Sequence, residues 1–240
     1  SDVYKRQGLE IQPPKKSAFT KETPPEYPKM DSLIIASGRR GGGKSVAVSN
    51  YVRNLLQIGV LDKVLLITPT YYSNKEIWAP LELDPDEDVF EPEIDVLKTV
   101  IKVVEDDKNE WDTYQDLMKK YKDFKLLMKS DRPIHQIDPM KLIEFMELGF
   151  LQSGGEITEP EWKYKHKRPP RYFIIIDDCM GTDLLKPRGR LTQLICKHRH
   201  ICEGLGISVA MLVQSYCAVG GLSRAIRENT TLLLLSLIHI

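Results

Sequence analysis

Dense apolar runs alternate along this chain with segments whose apolar residues recur every three or four positions. Ser32-Leu-Ile-Ile-Ala-Ser37, Lys63-Val-Leu-Leu-Ile-Thr68, Arg171-Tyr-Phe-Ile-Ile-Ile-Asp-Asp178 and Gly206-Ile-Ser-Val-Ala-Met-Leu-Val-Gln214 are short and nearly continuous in apolar character. Runs of this kind, without polar alternation, predict strands buried on both faces of a parallel sheet. Helical spacing covers Val46 to Leu56. It returns between Glu93 and Lys129, where Ile94, Leu97, Ile101, Val104, Trp111, Tyr114, Leu117, Met118 and Tyr121 form a stripe. Pro139 to Phe150 reads as a further helix, and Lys186-Pro-Arg-Gly-Arg190 opens one that runs through His200. Leu222 to Asn229 is a short helix or turn, and Thr230 to Leu234 begins a last strand. The acidic, proline-bearing stretch from Leu83 to Glu93 is expected to be loop.

Strands separated by helices predict an α/β domain with a mostly parallel sheet and helices on both faces. The region 80–170 is expected to be a helical insertion followed by a basic loop, its apolar stripes serving core packing. That loop, Ser153 to Pro170, carries Lys163, Lys165, His166, Lys167 and Arg168. Its plain reading is a solvated loop. Its functional reading is contact with nucleic-acid phosphates.

Gly38-Arg39-Arg40-Gly41-Gly42-Gly43-Lys44-Ser45 lies between the first strand and the first helix. The pattern G-x-x-x-x-G-K-[ST] in that setting is a phosphate-binding loop. Its glycines let successive N–H groups turn toward phosphate oxygens, and the following helix adds its positive end. Residues Gly38 to Val46 are the expected nucleotide contacts. Lys44 would reach the β- and γ-phosphates, and Ser45 would ligate Mg²⁺. Asp177 and Asp178 end the third long strand, where open α/β sheets bind ligands. Asp177 is the expected Mg²⁺ ligand and Asp178 the group that orients or activates the attacking water. For Asp178 the plain alternative is a strand-end or capping residue. The expected cofactors are ATP and Mg²⁺, and the expected fold is a RecA-like P-loop NTPase.

The 240 residues hold 34 basic and 34 acidic side chains, so formal charge is balanced. That excludes a global polycation, and any basic surface must be local. Cys179, Cys196, Cys202 and Cys217 have no C-x-x-C spacing and read as free thiols of a reducing compartment. A zinc set of Cys196, His198, His200 and Cys202 is disfavoured, because two-residue steps on a helix scatter ligands around it. No signal peptide and no bilayer-length apolar stretch is visible, so no membrane partner is expected.

Residues 1–7 (Ser1-Asp-Val-Tyr-Lys-Arg-Gln7) and 235–240 (Leu235-Ser-Leu-Ile-His-Ile240) read as the two strands of a translated sequencing adapter. On this reading the natural protein continues past Leu234. Residues 8–30, rich in proline and lysine, are expected to be an extended arm, and 31–234 the ATPase domain, truncated at its C-terminus.

Beyond the two phosphate-site motifs, Gln214 ends the next strand in Leu212-Val-Gln-Ser215. Lys197-His-Arg-His200 precedes that strand, and Ala225-Ile-Arg-Glu-Asn-Thr230 follows it. This series resembles the FtsK–HerA superfamily of DNA-pumping ATPases. Within it, the chain is most similar to the poxvirus-type virion packaging ATPases, over roughly Ser32 to Leu234; the insertion matches nothing in that family.

The resemblance implies that Gln214 senses the γ-phosphate and couples hydrolysis to movement. Without the surrounding pattern it would be a polar strand cap. The resemblance also implies that Arg199 enters a neighbouring subunit's site, which requires a ring. Glu203-Gly-Leu-Gly206 lengthens the spacing from Arg199 to Gln214, so Arg227 or Arg224 stands as the alternative finger. Many relatives carry Glu at the position of Asp178. The implied partners are double-stranded DNA, copies of the chain itself, and capsid portal or vertex proteins. The implied location is the host cell cytoplasm or virus factory, with the virion as a further one. Three other readings stay open: a secretion or assembly ATPase of the zonula-occludens-toxin type, a terminase large-subunit ATPase domain, and a nucleotide-gated binding switch.

Overall fold

The computed structural model describes residues 21–129, 138–152, 156–186, 189–217 and 222–235. Strands β1 (Leu33–Ser37), β2 (Lys63–Ile67), β3 (Val89–Phe90), β4 (Tyr172–Asp177), β5 (Ser208–Val213) and β6 (Leu232–Leu235) form one sheet in the order β3-β2-β4-β5-β1-β6. Every ladder is parallel. Strand β5 therefore lies between the strand that leads into the glycine loop and the strand that ends in the two aspartates. With helices on both faces, this is the α/β, RecA-like arrangement expected from the strand pattern.

Side chains alternate cleanly between the two faces. Leu33, Ile35, Ile174, Ile176, Val209 and Met211 point into one buried layer, and Ile34, Ala36, Phe173, Ile175, Ala210 and Leu212 into the other. Each fully buried aliphatic side chain contributes roughly 1.5–3 kcal/mol. That drive fixes the register, because a one-residue slip would swap the faces.

Helix α1 (Lys44–Gln57) and the short α2 (Lys75–Trp78) cover the second face through Val48, Val52, Leu55 and Trp78. The first face is covered by the start of α3 (Val96–Lys129), by α5 (Arg190–Lys197) and by α6 (Arg224–Glu228). Between α3 and α5 in the chain lies α4 (Pro139–Glu147), which starts where the Asp138 carboxylate accepts the Met140 N–H at 3.0 Å and Pro139 sets the first turn.

Three sequence expectations are corrected here. The segment 83–93 is not all loop: Val89 and Phe90 pair in parallel with Leu66 and Ile67. Two residues behind an acidic run leave no periodicity to read. The insertion does not begin at residue 80. Val96, Leu97, Val100 and Val104 of α3 pack on the sheet, and only the far half of that helix forms a separate cluster, with Tyr121 and Phe124 against Phe145 and Phe150. The helix expected through His200 stops at Lys197, because the chain turns to enter β5: Ile207 N–H donates to His198 O at 2.9 Å, and Cys202 and Glu203 take positive φ.

Residues 21–30, part of the expected extended arm, form no helix or strand and are docked on the domain. Lys21 pairs with Asp31 at 2.5 Å and donates to the Leu205 carbonyl, and the Tyr27 ring lies 5.9 Å from that of Tyr51. The remainder of the proposed arm and the adapter reading of 1–7 and 236–240 lie outside the described residues. Leu235 itself pairs with Ser37 in β6.

The basic loop is largely neutralised within the fold. Lys163 pairs with Asp107 and with Glu110, Lys167 with Glu159 at 2.7 Å, and Arg168 with Asp62. Its charge fastens the loop to the domain. Asp107 is the centre of this attachment. It is buried in α3 and accepts hydrogen bonds from Lys163, Tyr164 and Tyr172. Burial alone would raise its carboxyl pKa, but the three donors outweigh that and hold it below the usual range.

Asp107→Ala should therefore lower stability by about 2–4 kcal/mol in urea unfolding at neutral pH, since it leaves the Tyr164 and Tyr172 hydroxyls without their acceptor and removes one of the two carboxylates paired with Lys163. A depressed carboxyl pKa stabilises above the unfolded-state value, about 3.9, and loses that effect as pH falls through the folded value. The gap between the two proteins should narrow in that acid range. Equal midpoints at neutral pH would show that the network contributes nothing.

Candidate functional site

Parallel pairing brings the carboxyl ends of β1, β5, β4 and β2 to one edge of the sheet, and a cavity of about 500 Å³ opens there. Its size suits a small ligand (~300–1,000 Å³). The glycine loop forms one wall. Gly38 N–H donates to Val213 O at 3.2 Å, which ties the loop's first residue to the end of β5. Gly41 and Gly43 take φ of 75° and 74°. A Cβ at Gly43 would touch nothing within 4 Å, so the demand there is for the left-handed backbone rather than for space.

Gly43 is also the N-cap of α1. No side chain caps that helix, and its first turn contains no acidic residue. The orphan N–H groups and positive end of a 14-residue helix are thus left for whatever enters the cavity. The Lys44 ammonium lies back across the loop, donating to Gly38 O at 2.8 Å and Arg39 O at 2.9 Å.

Ser45 Oγ donates to Asp177 Oδ2 at 3.1 Å, across 132 positions of sequence. Asp177 is 6% exposed. Burial raises its carboxyl pKa, the Ser45 hydrogen bond opposes the shift, and the neighbouring Asp178 charge adds to it. A hydroxyl and a carboxylate, both hard oxygen donors, stand where Mg²⁺ would need them, and the buried carboxylate gains from a divalent cation. The residues therefore fit the ion.

Asp178 follows at the strand end, exposed and lining the cavity, with φ of 52°. That left-handed backbone costs roughly 1–2 kcal/mol for a non-glycine residue, although Asp tolerates it better than most. The next residue, Cys179, is buried and donates to Asp177 O at 3.3 Å. Burial pushes its thiol pKa up to about 12, so it is a packing residue and not a nucleophile.

Gln214 lines the cavity beside the loop, together with Arg40, Lys44, Ser45, Val46 and both aspartates. Apart from Gly38 and Arg39, the sequence-predicted loop residues, both aspartates and Gln214 thus line one cavity. Arg199 and Arg227 do not. Arg199 sits within 3.5 Å of Thr231 Oγ1, and Thr231 N–H bonds Leu33 O at the amino end of β1. The full length of β1, about 17 Å, separates it from the glycine loop. Any role at a nucleotide would have to be in another copy of the chain. Arg227 lies over the Tyr216 ring at 5.9 Å and donates to Cys217 Sγ at 3.4 Å, away from the cavity lining.

Sequence reading missed Thr70, Ser73 and Asn74, which form the wall beyond β2. The available signal was their position: polar residues directly after the carboxyl end of a buried parallel strand. No group of three or more His, Cys, Asp or Glu side chains capable of holding a metal occurs among the described residues, which removes the zinc set. His198 is instead a core residue, its ring nitrogens against the Ile195 and Asp31 carbonyl oxygens. No helix among the described residues is long and apolar enough to cross a membrane.

No protein-family model matches the chain, and no curated protein matches it. Among solved structures, the cytoplasmic domain of EssC is similar at 16% identity with a TM-score of 0.42, over 85% of this chain. The chain spans about a third of that structure's length, 32%.

Proposed function

We propose that this chain is a Mg²⁺-dependent ATPase that works as a ring and drives double-stranded DNA into a viral capsid. The observation that carries the hydrolase reading is the Ser45–Asp177 hydrogen bond beneath the uncapped start of α1. It joins a phosphate cradle to a carboxylate that is otherwise remote in sequence. Ser45 and Asp177 would hold Mg²⁺, which when bound neutralises charge shared by the β- and γ-phosphates.

The chain's own groups divide the remaining work. The N–H groups of the glycine loop and α1 bind phosphate oxygens. Lys44 exchanges its loop carbonyls for the β- and γ-phosphates. Asp178 holds the attacking water in line with the bond that breaks. Gln214, between the loop and Asp178, reports whether the γ-phosphate is present.

The motor reading rests on the sequence series that runs from Arg199 through Gln214 to Asn229. Arg199 is far from its own cavity, so a finger at that position acts on the next subunit's nucleotide. Such a residue can contribute ~10³–10⁵ in rate.

Lys44→Ala should weaken ATP binding about 10- to 100-fold and abolish hydrolysis, because charge-assisted hydrogen bonds to phosphate are lost. Asp178→Asn should retain nucleotide and Mg²⁺ binding while turnover falls roughly 10²–10⁴-fold. Isothermal titration with steady-state phosphate release checks both. Turnover that survives Lys44→Ala rejects the site, and joint loss of binding and turnover in Asp178→Asn makes that residue a metal ligand.

Arg199→Ala should bind ATP nearly normally yet fail to hydrolyse it. Mixing it with Lys44→Ala protein should restore part of the activity, most near equal amounts and none at either extreme, because some intact loops then face an intact arginine. Rings shown to be mixed but inactive at every ratio would rule Arg199 out, and the same mixture with Arg227→Ala would test the alternative.

A further inference from the structure

Asn74 is placed where helices favour an N-capping side chain, immediately before α2, and it does not cap. Its side chain turns the other way. Nδ2 donates to Thr70 Oγ1 at 3.1 Å, and Thr70 is held in turn by Thr68, through the hydroxyl pair at 3.2 Å and the Thr70 N–H at 3.2 Å. Thr68 is buried and directly follows β2, whose Ile67 pairs with Ile176 beside Asp177. The relay is therefore anchored to the same strand ends that carry the aspartates.

A second tether fixes the segment on its other side. Ser49 Oγ donates to Ile77 O at 2.7 Å, one turn along α1 from Ser45. The amide is half-buried and lines the cavity with Asp177, Asp178 and Gln214. Its donor side is engaged by Thr70, and among the described residues no hydrogen bond reaches Oδ1.

We propose that Asn74 is a further catalytic residue of this site: its Oδ1 accepts a hydrogen of the water that attacks the γ-phosphate, opposite Asp178. The inference rests on the ATPase reading above. In the step, the water oxygen bonds the γ-phosphorus as the bridging bond to the β-phosphate oxygen breaks, and that electron pair leaves on ADP. One water proton passes to Asp178 and then to the released phosphate. The other stays on oxygen, its direction set by Asn74, which gains and loses no proton. An amide that aims the water is an established device in phosphoryl transfer.

The test compares the unsubstituted 240-residue chain with Lys44→Ala, Asn74→Ala and Thr70→Val. It measures kcat, affinity for ADP, affinity for ADP–aluminium fluoride with Mg²⁺, and thermal midpoint. Asn74→Ala should lower kcat about 10²-fold and weaken the aluminium fluoride complex to a similar degree, with ADP affinity within about threefold. Thr70→Val, which releases the amide, should cost about tenfold in kcat with the same selectivity for the aluminium fluoride complex.

An unchanged kcat in Asn74→Ala, or equal weakening of ADP and the aluminium fluoride complex, overturns the proposal. If Asn74→Ala does not fold, Thr70→Val decides by the same criteria. Hydrolysis that persists in Lys44→Ala overturns the parent reading and this one with it. Lys44-dependent hydrolysis that Asn74→Ala leaves intact overturns this one alone.

Discussion

Parallel pairing between β1 and β5, and between β5 and β4, holds Ser37 beside Val213 and Asp177 beside Leu212. Each strand leaves the sheet at the same edge, so each following loop must start there. That constraint puts the glycine loop, the aspartates, Gln214 and the segment after β2 around one cavity without any of them being near neighbours in sequence. The register behind it is set by aliphatic side chains on two buried faces. A one-residue slip would exchange the side chains of the two faces and spoil the packing of both layers.

The local chemistry runs against the usual rules for stability, and in a consistent direction. Helix α1 lacks a side-chain cap, Asp177 is a buried carboxylate next to a second one, and Asp178 has a left-handed backbone. Each feature has a cost in the folded chain. On the proposed reading the first two would be met by ligand: the uncapped start of α1 by phosphate oxygens and the buried Asp177 by a divalent cation. Cys179 and Tyr71 are buried, one in each of the two apolar layers of the sheet.

Far from the cavity, Asp107 shows how the 163–168 loop is held. A charged carboxylate deep in α3 is tolerable only because Lys163, Tyr164 and Tyr172 converge on it. The same attachment uses up basic charge that would otherwise face solvent. Trp111, Tyr114 and Trp162 stack beside it, with ring centroids 5.0–5.5 Å apart. Together they join the middle of α3 to the start of β4 and the loop before it.

Much of the sheet was legible in the sequence, because burial on both faces demands uninterrupted apolar runs and nothing else in a chain of this class produces them. The glycine loop was legible because its backbone needs glycines at fixed places, notably Gly41 and Gly43, and a helix start directly after. Asp177 followed from its position at a strand end, whereas Gln214 was picked out only by the motif series around it. Other features had no local signature. Two-residue β3 is too short to carry a period, and the end of α5 at Lys197 depends on the turn into β5. The neutralised basic loop depends on acids at Asp62, Asp107, Glu110 and Glu159, all remote in sequence from their partners. The distance of Arg199 from the cavity follows from which end of β1 it meets, and Asn74 enters the site only because β2 is paired with β4. Local periodicity determines which segments become strands and helices. Strand order determines which loops share an edge, and that order is set by long-range packing that no stretch of neighbouring residues records.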